Sequence, residues 1–410
     1  MNISSLKLRL KAKSFGSPLN ADMKKLKILI LTNQLPPYIG GTSVYSKGII
    51  QGLSSLGHRV TVLMRDRNPA MFQDLGVEII SIRSKGLIKP YSLWKARQKV
   101  LQIIKENEMD VVLFAYPIVG LGNIYKTLYR HSIPFVVSLH GIRKDDLASP
   151  KNMAYRRRKW GLDYATRLIA CTRWVAQEMA PLVQQKIVPI HLGVSQDIYH
   201  YATQDRVKAL KQKLKLEGKK VILGLGRFAP IKNFDALIRL LPRIAEKVPE
   251  VLLLLVGEGP EQKNWQYLAQ KLGVADRILW HPKVPHKEVG LFYKAAHLFA
   301  MVSRSHPREN ANEAFGLVYV EANLCGIPVI GAREGGVMEA VKDGETGILV
   351  SPENEKELEK AVLTLLTNEK MRQEMGEKGQ KWAMEYFTWK RTAEETAKIL
   401  EEAYFERKGV

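Results

Sequence analysis

Two acidic residues eight positions apart, Glu313 and Glu321, flank the apolar run Phe315-Gly316-Leu317-Val318-Tyr319-Val320. If Gly316 opens a helix, Glu321 stands in its second turn and Glu313 in the preceding loop. Backbone N–H groups at residues 315–317 then lack helical partners and are available to a phosphate. A carboxylate in the place of Glu321 can take both hydroxyls of a ribose, a task acidic residues perform in nucleotide-binding folds. The competing reading is a helix with ordinary surface glutamates. The apolar flanks argue against an exposed surface.

Other residues suited to phosphate chemistry lie at the ends of apolar runs. Lys27–Thr32 is followed by Gly40-Gly41, glycines that let backbone approach an anion closely where a helix begins. The spacing is not GxGxxG, which weakens a dinucleotide-cofactor reading. His140-Gly141 follows Phe135–Ser138, and a neutral imidazole there can donate to a sugar hydroxyl or a phosphate oxygen. Val221–Gly226 leads into Arg227 and Lys232, two cations able to hold a diphosphate as a bound group and as a leaving group. Each has a plainer alternative: a tight turn, a packed histidine, two surface cations.

These residues need elements to position them. Apolar runs alternate with helical patterns in two series, which predicts βαβ units around buried parallel sheets. The first series has strands at Lys27–Thr32, Val60–Met64, Val77–Ile82, Val111–Phe114, Phe135–Ser138, Leu168–Ala170 and Ile187–Ile190. The second has Val221–Gly226, Val251–Val256, Ile278–Trp280, Leu298–Met301, Pro328–Gly331 and Gly347–Val350. Length supports two domains rather than one core. The division is expected as a basic extension over 1–22, Rossmann-like domains over 23–198 and 199–388, and a C-terminal helix over 389–410 packing back on the first domain. The hinge is expected near 194–203. Open parallel sheets bind ligands at the carboxyl ends of their strands. If the two sets of ends face one another, the cleft between them is the site.

Composition narrows the class. Net charge is +22, and residues 1–195 carry 30 Lys and Arg against 11 Asp and Glu. Such a field draws anionic membranes, nucleic acid or phosphorylated substrates. Cys171 and Cys325 are the two cysteines, which excludes a disulfide framework, suggests no zinc spacing and fits a reducing compartment. No apolar run reaches the ~18 residues needed to span a bilayer. Lys85, Lys89, Trp94 and Lys95 mix cationic and aromatic side chains within 85–99, and Arg156, Arg157 and Arg158 form a second basic cluster. Both suit contact with an anionic membrane surface, against the rival of a solvated basic face.

Taken together, Gly40-Gly41, His140-Gly141, Gly226-Arg227 with Lys232, and Glu313-x7-Glu321 resemble glycosyltransferase family 4, retaining enzymes of the GT-B fold. Leu56-Gly-His58, Gly193-Val194, Pro328-Val-Ile330, Gly335-Gly336-x-x-Glu339 and Asp343-Gly-x-Thr-Gly347 extend the likeness over about 26–390. Ser303-Arg304-Ser305 ahead of Glu313-Ala-Phe-Gly316 resembles the phosphatidylinositol mannosyltransferase branch. The resemblance implies an α/β fold of two Rossmann-like domains whose parallel sheets face across a cleft. It implies that Arg227 and Lys232 bind the donor diphosphate, that the backbone of Phe315, Gly316 and Leu317 holds phosphate, and that Glu321 takes the ribose. Glu313 would contact the transferred sugar, His140 would lie by the reacting centre, and Gly40 and Gly41 would approach the diphosphate from the other domain. The base would sit near Lys283 and Val284. Pro282 and Ser195 depart from the family pattern, which often has Gly and Asp at those places.

The activity so implied is transfer of a hexosyl unit from a nucleotide-diphosphate sugar to an acceptor hydroxyl on a lipid or membrane-associated glycan. No metal or cofactor is expected, and the chain lacks the Asp-x-Asp motif of GT-A enzymes. The expected setting is cytoplasmic, peripheral on the inner membrane face. Rival readings are another GT-B enzyme, such as a sugar phosphorylase or nucleotide-sugar epimerase, and a basic nucleic-acid-binding protein. The last has no helix-turn-helix, RRM or zinc-finger signature and leaves Glu313-x7-Glu321 unexplained, so no nucleic-acid partner is expected.

Overall fold

The computed structural model describes residues 24–35, 40–65, 75–82, 90–117, 124–141, 159, 161–305 and 312–408. The expected extension over 1–22 lies outside them. The first sheet contains β1 (Lys27–Leu31), β2 (Arg59–Arg65), β3 (Glu78–Ile82), β4 (Val111–Phe114), β5 (Phe135–Leu139), β6 (Arg167–Ala170) and β7 (Ile187–Pro189). They pair in parallel in the order β3-β2-β1-β4-β5-β6-β7. The second contains β8 (Lys220–Leu225), β9 (Val251–Val256), β10 (Ile278–His281), β11 (Leu298–Met301), β12 (Val329–Ala332) and β13 (Gly347–Val350). Its order is β10-β9-β8-β11-β12-β13, again parallel.

Helices cover both faces of each sheet, so the central strands have no solvated side. β4, β5 and β11 are buried at every residue, which is why they read as apolar runs, interrupted only by Ser138 in β5, rather than as alternating ones. Strand order reverses between β1 and β4 in one sheet and between β8 and β11 in the other. Such switch points open a crevice beyond the carboxyl ends of the strands. Gly40-Gly41 follows β1, Gly226-Arg227 follows β8, and Ser303 follows β11.

The chain crosses between the domains twice, and the two crossings are joined. Val194 forms a parallel bridge with Thr388, and its N–H donates to the Phe387 carbonyl at 2.9 Å. The expected division at 198/199 falls inside the helix Asp197–Tyr201. That helix packs on the second domain's helix Val289–Ala295, so tightly that a Cβ on Gly290 would meet the Ile198 carbonyl oxygen at 1.9 Å. The first crossing therefore ends before Asp197.

The helix Trp389–Lys408 returns to the first domain and lies against the helix Gly41–Ser55. Two glycines on the latter make this possible. A Cβ on Gly48 would stand 2.2 Å from the Trp389 ring, and one on Gly52 2.7 Å from the Ala393 Cβ. Gly48→Ala forces the ring or the helix aside and is expected to cost about 1–3 kcal/mol as overpacking. The check is the thermal midpoint: Gly48→Ala should melt below the wild type, and an unchanged midpoint would show that the strap is loosely seated.

Candidate active site

The helix Leu317–Leu324 begins at Gly316, which adopts a left-handed conformation (φ 84°, ψ 64°). This conformation is strained for a residue with a Cβ, and here a Cβ would also strike the Tyr319 ring at 2.5 Å. Gly316 brings no capping side chain, and although Tyr319 N–H bonds back to its carbonyl at 3.0 Å, the N–H groups before Tyr319 have no side-chain cap from it and suit a ligand or solvent. Across the cleft, the first domain's turn at Gly40 (φ 147°) opens the helix Gly41–Ser55. A Cβ on Gly41 would lie 3.9 Å from the Leu317 side chain. Two helix N-termini from different domains therefore face one gap.

Glu313 stands at the edge of that gap. Its Oε2 accepts from Lys232 Nζ at 2.5 Å and from Ser303 Oγ at 3.4 Å. Lys232 closes a 3-10 turn, Pro230–Lys232, just past β8, and Arg227 stands exposed at the same strand end. Of the expected cations, Lys232 is paired to the first acidic residue, Glu313.

Glu321 is in the second turn of the helix Leu317–Leu324 and is 4% exposed. Both its oxygens are engaged. Tyr293 donates its hydroxyl to Oε2 at 3.1 Å, and His286 Nε2 lies 2.7 Å from Oε1. Burial opposes a charged imidazole at His286, but the Glu321 carboxylate outweighs it and raises the histidine above its ordinary pKa. Lys47 from the first domain opposes this rise across the cleft, while Asp197 assists it. On the neighbouring loops, Lys283 pairs with Glu258 at 3.3 Å beside the half-buried Val284.

His140 follows β5 in the first domain. Both ring nitrogens are buried and have no hydrogen-bond partner among the described residues. Burial pushes its pKa down to about 4, against a partial opposing effect from the Ala115 carbonyl. The ring is therefore neutral near pH 7, with the Ala115 carbonyl near it but no full hydrogen bond made among the described residues. Tyr45 packs on it with centroids 4.1 Å apart and is itself tied to Ser138 by a 2.8 Å hydroxyl contact. An orphaned neutral imidazole at a strand's carboxyl end is suited to hydrogen-bond a substrate.

Sequence reading missed His286, Tyr293, Tyr45 and Ser138, which hold the expected residues in place. Of the basic surface, Lys85, Lys89, Arg156, Arg157 and Arg158 lie outside the described residues. Trp94 is 47% exposed on the helix Pro90–Glu106, which also carries Lys95. Among the described residues no helix is long and apolar enough to cross a membrane.

The arrangement has counterparts among known proteins. The family model for Glycosyltransferase Family 4 matches residues 39–197, and that for Glycosyl transferases group 1 matches residues 205–382, so the two models cover both domains in order. The chain belongs to glycosyltransferase family 4. A GDP-mannose-dependent alpha-(1-6)-phosphatidylinositol monomannoside mannosyltransferase from Mycolicibacterium smegmatis is 28% identical, over 91% of this chain and 98% of the relative. A D-inositol 3-phosphate glycosyltransferase from Kribbella flavida is 29% identical, over 87% and 89%. Among solved structures, Anabaena HepE in complex with UDP-glucose superposes with a TM-score of 0.74 at 22% identity, covering 92% of this chain and all of that one (100%). The two-sheet architecture is the GT-B fold. This glycosyltransferase uses a nucleotide-sugar donor.

The His286–Glu321 contact gives the enzyme a pH signature. A histidine whose pKa is raised on folding adds stability that is full below the unfolded value and fades as pH rises through the folded value. Thermal midpoints of wild type and His286→Gln, measured from about pH 5.5 to about pH 9, should differ most at the acid end and converge at the alkaline end. A gap that stays constant with pH would show that the contact is not between charged partners.

Proposed function

We propose that the enzyme is a retaining hexosyltransferase that needs no metal ion and acts on a lipid or membrane-associated glycan. The observation that carries this reading is the meeting of the Gly41 turn, the uncapped start of the helix Leu317–Leu324 and the Lys232–Glu313 pair at one gap. Breaking a glycosyl–phosphate bond leaves negative charge on the departing diphosphate and positive charge on the sugar. Lys232, Arg227 and the N–H groups of residues 315–317 are placed to stabilise the first. Groups fixed in advance and aimed at developing charge favour the transition state over the ground state. Glu321 takes the ribose hydroxyls, and Lys283 and Val284 flank the base. His140, neutral and with neither ring nitrogen in a full hydrogen bond, donates to the sugar or its phosphate. Glu313 turns towards the hydroxyls of the transferred sugar.

Retention in this reading proceeds by attack on the donor's front face within an ion pair. Glu313 is held by Lys232 and Ser303, which favours a role in orienting the sugar over one as nucleophile. The mannosyltransferase relatives, whose named acceptor is a phosphatidylinositol monomannoside, and the basic first domain support a lipid-linked acceptor at the inner membrane face.

A metal-free thermal-shift screen of UDP, GDP and ADP sugars should find a donor that raises the midpoint, since ligand binding to the native state stabilises it. Mass spectrometry of the product then identifies the transferred unit and the acceptor. Arg227→Ala and Lys232→Ala are each expected to lower turnover on the order of 10²–10³-fold; near-normal turnover in both would refute the assignment. Co-sedimentation with anionic liposomes should be strong at low salt and fall as salt rises. No binding at low salt would count against the membrane reading.

A further inference from the structure

Glu339 has no part in the donor site, yet its carboxylate is among the most heavily engaged in the protein. It lies on the short helix Val337–Ala340 of the second domain and reaches into the first. Its Oε2 accepts from the backbone N–H of Arg173 at 3.0 Å, and its Oε1 from that of Trp174 at 2.8 Å. His191 Nε2 lies 2.8 Å from Oε2, and Arg173 Nε lies 3.4 Å away. Burial alone would raise the pKa of this group, but the hydrogen bonds from His191 and from the two N–H groups hold it at about 2. The carboxylate is thus ionised near neutral pH and can only accept, so His191 carries its proton on Nε2.

The surroundings tie this contact to the donor loop. Thr172, the residue before the engaged N–H groups, donates its hydroxyl to the Ala314 carbonyl at 2.9 Å. The His191 ring stacks on Phe315, with centroids 5.8 Å apart and planes 16° apart. On the other side, Gly336 N–H donates to the Glu313 carbonyl at 2.9 Å. A Cβ on Gly336 would fall 1.8 Å from the Ala314 oxygen, so nothing larger than glycine fits between this turn and the loop. The Gly335–Glu339 segment therefore touches the Glu313–Phe315 backbone at one end and the first domain at the other.

We infer that Glu339 is a positioning residue: it latches the second domain to the backbone at Arg173 and Trp174, and so sets the closed arrangement in which Glu313 and Phe315 meet the donor. The inference rests on the donor-site reading above. The side chains assigned to the nucleotide, Arg227, Lys232, Glu321 and Lys283, belong to the second domain with the start of the helix Leu317–Leu324, and the first domain offers the diphosphate only the backbone of the Gly40-Gly41 turn. Loss of the latch should therefore leave nucleotide binding intact and reduce the chemical step, which needs both domains.

The experiment compares wild type, Glu339→Gln, Glu339→Ala, His191→Gln and Arg227→Ala. Each is assayed for kcat, donor KM, affinity for the free nucleoside diphosphate by calorimetry, thermal midpoint, and radius of gyration by X-ray scattering with that nucleotide saturating. Glu339→Ala is expected to lower kcat on the order of 10–10²-fold, the scale of a small misplacement of reacting groups. Its nucleoside-diphosphate affinity should stay within about threefold of wild type, and its radius of gyration should rise. Glu339→Gln keeps an accepting oxygen and should fall between the two; His191→Gln, which removes one contact of the set, should do the same. Unchanged kcat in Glu339→Ala overturns the inference. So does a loss of nucleotide affinity that matches the loss of kcat, which would mark general damage to the second domain. If Glu339→Ala fails to fold, Glu339→Gln and His191→Gln decide by the same criteria. Normal turnover in Arg227→Ala would instead indict the donor-site reading, independently of the latch.

Discussion

The carbonyl oxygens of Glu313 and Ala314 accept hydrogen bonds from two directions, one from Gly336 N–H within the second domain and one from Thr172 Oγ1 in the first. A loop with partners on both sides has one position when the domains are together and less support when they are apart. The site depends on this constraint. Glu313 meets Lys232 only where the loop holds it, and Gly316 can turn left-handed into its helix only from the same backbone path. The donor site therefore has its charges on one domain and part of its scaffold on the other.

This division follows from the physics of the sheets. Strands buried on both faces admit few polar side chains along their length, so polar chemistry collects where they end. β5, β8 and β11 end beside His140, Gly226 and Ser303, and the connection after β1 leads to Gly40. Two such sheets with their ends opposed make a cleft whose walls are loops and helix N-termini. Those termini favour anions without carrying a mobile charge. The arrangement suits a substrate whose largest feature is a diphosphate.

The sequence made the frame readable for the same reason. Parallel strands buried on both faces give mainly apolar runs, so β4, β5, β9 and β11 could be placed within a residue or so. Glycines marked the turns because Gly40 and Gly316 adopt positive φ and a Cβ on Gly316 would strike the Tyr319 ring. The Glu313-x7-Glu321 spacing was visible because both residues belong to one local segment. What holds Glu321 was not visible. His286 lies 35 positions before it and Tyr293 lies 28, on a different strand's connection, so no local period links them to it. Tyr45 and Ser138 are 93 positions apart and meet only because β1 and β5 flank β4 in the sheet. The ownership of the helix Asp197–Tyr201 was not visible for a related reason: polar composition marks a crossing, but the packing of Ile198 under Gly290 is a long-range contact.

Desolvation lowers the pKa of both His140 and His286, yet the two end on opposite sides of the ordinary value, and the contrast shows how the site separates its tasks. His140 has no carboxylate beside it, so desolvation wins and the ring stays neutral, able to donate from one nitrogen and accept at the other. His286 suffers the same penalty, but Glu321 supplies a countercharge and the balance reverses. A neutral donor thus faces the gap from the first domain, and a charge-paired carboxylate waits in the second. Exchanging the two environments would put a cation where positive charge develops on the sugar and would leave Glu321 without its partner. The placement of one carboxylate, more than the identity of either histidine, keeps the polarity of the cleft matched to the charge that bond cleavage creates.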